Sequence, residues 1–311
     1  MEKIAFLFPG QGSQFAGMGK ALHSAFPAAA QVFAAADEAL GISLSRLCFE
    51  GPDEALKLTE NTQPALFTVS MAAHAVLASK GVRPSYVAGH SLGEYSALVA
   101  AGGLDFAAAV RILRRRGQYM QEAVPPGVGA MAALLRLPEG ALDTVLEQAA
   151  QGQVVSAAGL NSPEQTVIAG NTEAVARAVE LAKAAGCKRA VTLPVSAPFH
   201  CALMKPAQDR LKHDLDAAAF HDLAVPLVNN WQAREIHKAE EARDGLFQQV
   251  PNPVRWADTI RYLAAQGVSK FVEVGAGAVL TGLLKNIDPA LTGAKFGAPE
   301  DWEKVQALAA A

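Results

Sequence analysis

The 311 residues include 51% from the AVILMFWYC set and 18% charged residues, with a formal charge of −3. This argues against a disordered scaffold and gives no bulk attraction to nucleic acid or to an anionic membrane. The three cysteines, Cys48, Cys187 and Cys201, have spacings of neither a disulfide framework nor a zinc site, which points to a reducing compartment. No apolar run approaches the ~20 residues of a membrane span, and Glu2-Lys3 is no basic leader, so a soluble, cytoplasmic protein is expected.

In chain order, residues 3–8 open the chain as a short apolar strand, and residues 86–88, 225–229 and 270–274 repeat that character between long Ala/Leu-rich helical stretches. The alternation predicts an α/β fold with a mainly parallel, buried sheet. After the second of these strands comes Gly89-His90-Ser91-Leu92-Gly93, then a helical run over 94–101. This is G-x-S-x-G between strand and helix, where small residues let the backbone turn sharply and lift the serine hydroxyl clear of the sheet. The helix behind it favours negative charge developing on a nearby oxygen. A Gly-Ser turn without chemistry is the bland alternative.

The next helix carries Arg114-Arg115-Arg116 beside an apolar stripe of Phe106, Val110, Leu113, Gly117 and Met120. At ~100° per residue Arg115 falls opposite the stripe and Arg116 returns to its margin, so Arg116 is expected to point inward. A cation held there needs a carboxylate, supplied either by an internal Asp or Glu or by a bound substrate.

Beyond Pro125-Pro126-Gly127 the rhythm changes. Residues 129–137 read as strand, 138–151 as helix, 154–160 and 166–169 as strands, 172–185 as helix and 189–195 as strand, with Gly186 placed to end the second helix. The order βαββαβ is that of a ferredoxin-like unit. Residues 127–196 are therefore expected to form a small inserted subdomain, 1–126 and 197–311 a large catalytic one, with a ligand cleft between them.

A serine needs a base, and seven histidines are available. His90 lies in the turn itself and is expected to point away from Ser91. His23, His74, His213, His221 and His237 sit on helical or polar stretches with no constraint on their placement. His200 ends Leu193-Pro194-Val195-Ser196-Ala197-Pro198-Phe199-His200, a loop stiffened by two prolines, and is preferred for that reason. Near the C-terminus, Gly275-Ala276-Gly277 does not complete a G-x-G-x-x-G pattern, and no Walker-type lysine follows any glycine-rich turn.

Phe8-Pro9-Gly10-Gln11-Gly12-Ser13-Gln14, the elbow with its continuation Glu94-Tyr95-Ser96-Ala97-Leu98, and Pro198-Phe199-His200 together resemble the malonyl-CoA:acyl carrier protein transacylases. Asn61-Thr62-Gln63-Pro64-Ala65, Asn252-Pro253-Val254-Arg255-Trp256 and Val272-Glu273-Val274-Gly275 extend the resemblance over nearly the whole chain. It implies an α/β-hydrolase-like core, Ser91 as the acylated nucleophile, His200 as its base, and an oxyanion hole from the amides of Gln11 and Leu92. It further implies that Arg116 grips a malonyl carboxylate, that Gln63 and Phe199 line the acyl site, and that the Gln249 carbonyl orients His200.

The implied reaction moves malonyl from malonyl-CoA to an acyl carrier protein for fatty acid synthesis, without metal or other cofactor and as a monomer. A stand-alone polyketide-type acyltransferase would share these features. Ala276 and Ala278 depart from the family's Pro and Lys, as do Trp231-Gln232 from a Val-Asp pair. Lys188, Arg189, Arg114, Arg115 and Lys285 are candidates for docking an acidic carrier. A serine hydrolase with the same elbow and a silent carrier-binding module are the rival readings.

Overall fold

The computed structural model describes residues 3–195 and 197–310; Ser196 of the histidine loop and the termini Met1, Glu2 and Ala311 lie outside them. Ten strands form among these residues: β1 (Lys3–Phe8), β2 (Tyr86–Gly89), β3 (Gly129–Leu135), β4 (Val155–Ser162), β5 (Gln165–Asn171), β6 (Arg189–Thr192), β7 (Leu227–Val228), β8 (Glu235–Ile236), β9 (Val268–Val274) and β10 (Thr292–Phe296).

Six of them build one sheet in the order β10-β9-β1-β2-β7-β8. All pairings are parallel except the short β7-β8 hairpin. β1 is central and buried on both faces, which is why it reads as an unbroken apolar run. Ile4, Phe6 and Phe8 face the larger core, with the helix Thr59–Ser79, while Ala5 and Leu7 face a second cluster with Trp256, Ile260 and Phe271. The helix Phe106–Glu122 packs against Thr59–Ser79 at Gly117, where a Cβ would fall 2.6 Å from the Thr59 carbonyl oxygen.

The remaining four strands form an antiparallel sheet in the order β4-β5-β3-β6, with the helices Ala141–Ala150 and Thr172–Ala184 between them in the chain. This is the expected βαββαβ order. The second helix ends as its glycine implies: Gly186 has φ 95°, its amide donates to Lys183 O and the Cys187 amide to Ala182 O. Both bonds of a Schellman ending are present. The small sheet is tied to the large one through Val254, which exchanges backbone hydrogen bonds with Leu160 and Ala158 of β4.

Element bounds differ in detail: the strands expected over 129–137 and 189–195 end at Leu135 and Thr192, and the helix expected over 138–151 spans Ala141–Ala150. Residues 225–229 give only the two-residue β7, because Pro226 lacks an N–H and serves instead as acceptor for the Val87 amide. β8 and β10 are unforeseen strands. β10 lies at the sheet edge, and its Gly293 and exposed Thr292 and Lys295 interrupt the apolar run that marks the other strands.

Candidate active site

The turn after β2 is forced by sterics. A Cβ on Gly89 would lie 1.9 Å from Gly93 O, and one on Gly93 would lie 2.2 Å from Phe8 O, so neither position accepts a side chain. Between them Ser91 adopts φ 53°, a strained conformation for a residue with a Cβ. The strain is held by a clasp: Asn230, just past β7, accepts the Ser91 amide (2.7 Å) and donates its Nδ2 to Gly89 O (2.7 Å). The helix Gly93–Ala100 follows directly, one residue earlier at its start than expected.

His200 reaches the serine from the other side of the fold. Its Nδ1 lies 2.8 Å from Gln249 O and its Nε2 2.7 Å from Ser91 Oγ. A carbonyl can only accept, so Nδ1 carries the proton and the bare Nε2 accepts the serine hydroxyl. Burial, followed by the charge of Arg116, lowers the His200 pKa to about 3, so the ring is neutral at ordinary pH. His200 itself has φ 60°, a second left-handed residue at the same site.

Arg116 is 1% exposed. Its Nη1 donates to Gln63 Oε1 (2.8 Å), and its Nη2 donates to Gln249 Oε1 (2.7 Å) and to Ser91 Oγ (3.1 Å). Its Nε, also buried, has no partner among the described residues. No carboxylate makes an ion pair with this guanidinium among those residues, which leaves the internal-carboxylate alternative without a direct partner. Glu94 comes nearest in kind, one glutamine removed: Gln249 Nε2 donates to Glu94 Oε2 at 2.8 Å.

The other expected site residues are also placed here. Gly10 packs so closely on the elbow that a Cβ would lie 2.7 Å from His90 O, which sets the following Gln11 beside the turn. The amides of Gln11 and Leu92 have no acceptor among the described residues. Phe199 is buried next to His200, and Gln63 is buried with its amide spent on Arg116 and Met120. His90 turns away from the serine to Asn161 of β4, with Nε2 and Oδ1 3.0 Å apart.

Two expectations do not fit so simply. Arg114 and Arg115 are engaged with Asn61 and Asp214, so of the proposed docking cations only Lys188, Arg189 and Lys285 stand exposed without those commitments. A cavity of about 240 Å³ does open between the small sheet and the helix Trp256–Ala265, but residues such as Ser162, Glu164, Asp258 and Arg261 line it, and none of the site residues does.

Glu94, Asn230, Asn161 and the side chain of Gln249 were not singled out for these contacts. The available signals were a lone carboxylate inside an apolar helix and an Asn pair at the carboxyl end of a strand beside the elbow's own. Among the described residues no His/Cys/Asp/Glu group could hold a metal ion, and no helix is long and apolar enough to cross a membrane. The three cysteines are buried and unpaired.

The acyl transferase domain family matches residues 5–290. A malonyl CoA-acyl carrier protein transacylase of Escherichia coli K12 is 50% identical over 300 residues, covering 96% of this chain and 97% of the relative. A crystal structure of an acyl carrier protein S-malonyltransferase from Vibrio cholerae superposes with a TM-score of 0.95 at 46% identity, covering 97% of this chain and 99% of that one. A malonyl-transacylase solved in complex with a type II PKS acyl-carrier protein gives a TM-score of 0.96 at 47% identity, covering 99% of this chain and 100% of that one. With an elbow serine, a neutral histidine and a buried arginine gathered at one point, and with these relatives matching it nearly end to end, the chain belongs to the malonyl CoA-acyl carrier protein transacylase family of acyltransferases.

Proposed function

We propose that Ser91 carries a malonyl group from malonyl-CoA to the phosphopantetheine thiol of an acyl carrier protein. The supporting observation is that Ser91 Oγ lies between His200 Nε2 (2.7 Å) and Arg116 Nη2 (3.1 Å). The first contact removes the hydroxyl proton, and the second places a cation where the distal carboxylate of a short dicarboxylic acyl group would lie.

In the first half-reaction Ser91 Oγ attacks the thioester carbon as its proton passes to His200 Nε2. The amides of Gln11 and Leu92 stabilise the oxyanion, and the coenzyme A thiolate leaves with the proton from His200. In the second half the carrier thiol gives its proton to His200 and attacks the serine ester, and Ser91 departs with that proton. The thioester is already activated, so this sequence calls on no metal or redox cofactor.

Arg116 has two effects. Its planar fork suits a carboxylate better than an ammonium would. Its charge is also the second cause of the low His200 pKa, so a carboxylate on the guanidinium offsets that charge and makes the histidine a better base when the correct acyl group is present. Gln63 and Phe199 border this site, and the Gln249 carbonyl fixes the histidine tautomer that a triad carboxylate fixes in hydrolases. We further take residues 127–196 as an inserted unit, the protein as a cytoplasmic monomer, and fatty acid synthesis as its setting.

The test is partition of the acyl-enzyme. The malonylated protein is isolated and mixed with buffer alone or with holo carrier protein; discharge at least 100-fold faster by the carrier supports transfer. Equal discharge by buffer would assign a hydrolase.

A further inference from the structure

Among the described residues Glu94 is the one carboxylate in the site, and the reaction sequence above does not use it. It is 1% exposed and lies in the first turn of the elbow helix. Its Oε2 accepts from the Asn230 backbone amide (3.1 Å) and from Gln249 Nε2 (2.8 Å), while a Cβ added at Gly245 would lie 3.5 Å from Oε1. Gln249 in turn presents Oε1 to Arg116 Nη2 at 2.7 Å and its own main-chain oxygen to His200 Nδ1 at 2.8 Å.

The direction of this chain is fixed at its start. A backbone N–H can only donate, so the atom of residue 94 that faces Asn230 must be an acceptor. The same oxygen takes Gln249 Nε2, which leaves the glutamine oxygen for the guanidinium. Gln249 thus has a donor moored on one side and an acceptor on the other, and a flipped amide would set N–H against N–H at Arg116. Without Glu94 the Gln249 Nε2 keeps only a 3.3 Å contact to Ser91 O. A buried amide so poorly satisfied does not hold its place.

We infer that Glu94 is a positioning residue for acyl-group selection: anchored on the Asn230 amide, it moors the Gln249 side chain that holds the Arg116 fork against Ser91. The inference rests on the proposed role of Arg116 as the carboxylate-binding group. Oxygen acceptance, not charge, performs the mooring. Burial brings Glu94 up to about 7 against the opposing bonds from Gln249 and Asn230 and the Arg116 charge, and either protonation state leaves Oε2 able to accept.

The experiment compares kcat/KM for malonyl-CoA and acetyl-CoA in wild type, Glu94→Ala, Glu94→Gln and Arg116→Ala, with thermal unfolding of each. Glu94→Ala is expected to lower the malonyl-to-acetyl ratio at least tenfold, because a loosened fork penalises only the acyl group that needs it. Glu94→Gln, which keeps a carbonyl oxygen for Asn230 and Gln249, is expected to restore the ratio to within about threefold of wild type. A purely structural role would lower both substrates together and leave the ratio unmoved, which would overturn the inference. So would loss of the ratio in a folded Glu94→Gln variant as deep as in Arg116→Ala, since glutamine keeps the mooring oxygen and exchanges only the other, charged oxygen for a neutral NH2. If Arg116→Ala itself keeps the malonyl preference, the reading of Arg116 fails first.

Discussion

The two sheets bury very different material. At the carboxyl edge of the large one the chain encloses Gln63, Glu94, Arg116, His200, Asn230 and Gln249, whereas the small sheet and its helices pack on Ala132, Leu134, Val145, Ile168, Val175 and Val179, with Ser162 the one buried polar residue between 127 and 196 among the described residues. Polar groups are costly to bury unless each finds a partner, so their concentration at one edge marks where the fold spends stability on chemistry. The small unit carries an ordinary apolar core of its own and reaches the site at contacts such as His90 with Asn161 and Gly129 with Pro198. Variants in the first region should therefore change what the protein does, and variants in the second how well it stays folded.

The strongest way to break this contrast is Ser91→Ala, expected to lower transfer by ~10³-fold or more with the fold intact. Residual transfer near wild type, measured with labelled malonyl-CoA, would remove the serine from the mechanism. Next comes Arg116→Ala. Deleting the group built to meet a carboxylate is expected to cost ~10²-fold or more in preference for malonyl over acetyl, checked by competing the two thioesters in one reaction; an unchanged ratio would refute the clamp.

The small sheet supplies the complementary test. Ile168→Ala leaves a hole in its buried core and should destabilise by about 3 kcal/mol in urea unfolding. At a temperature where it remains folded, its malonyl-to-acetyl ratio should match wild type. A shifted ratio would show that the small unit shapes selection directly.

The smallest effect concerns pH. Burial, then the charge of Arg83, lowers the His74 pKa to about 4, where its ring meets Phe6 and Phe8 edge-on. The unfolded chain binds that proton near 6.5, so the contribution of a neutral His74 is complete above 6.5 and is lost as pH falls from there toward 4. His74→Leu should flatten the acid limb of the stability curve by up to about 1.4 kcal/mol per pH unit in that window, read from urea midpoints. An equally steep limb in the variant would assign the acid sensitivity elsewhere.

The same contrast explains what the sequence makes legible. The elbow can be read because sterics admit only glycine at positions 89 and 93, and the inward turn of Arg116 because a helix has a fixed period. The small sheet's order follows from its alternating runs and the glycine at 186. Loop stiffness and the family resemblance both point to His200; its meeting with Ser91 depends on how the chain between 91 and 200 folds back, which no local pattern encodes. The mooring by Glu94 and the clasp by Asn230 stayed hidden for a related reason. An acidic residue in a helix's first turn looks like an ordinary partner of the helix dipole, and only the three-dimensional approach of Asn230 and Gln249 reveals a buried acceptor.

The central claim is that a serine, a neutral histidine and a buried arginine act together on one dicarboxylic acyl group. The most direct measurement is the pre-steady-state loading of the protein with malonyl-CoA and with acetyl-CoA, followed by peptide mass mapping of the adduct. The account predicts rapid malonyl loading, an ester located on Ser91, and acetyl loading slower by about 100-fold or more. An adduct on another residue, or equal loading by the two thioesters, would contradict it.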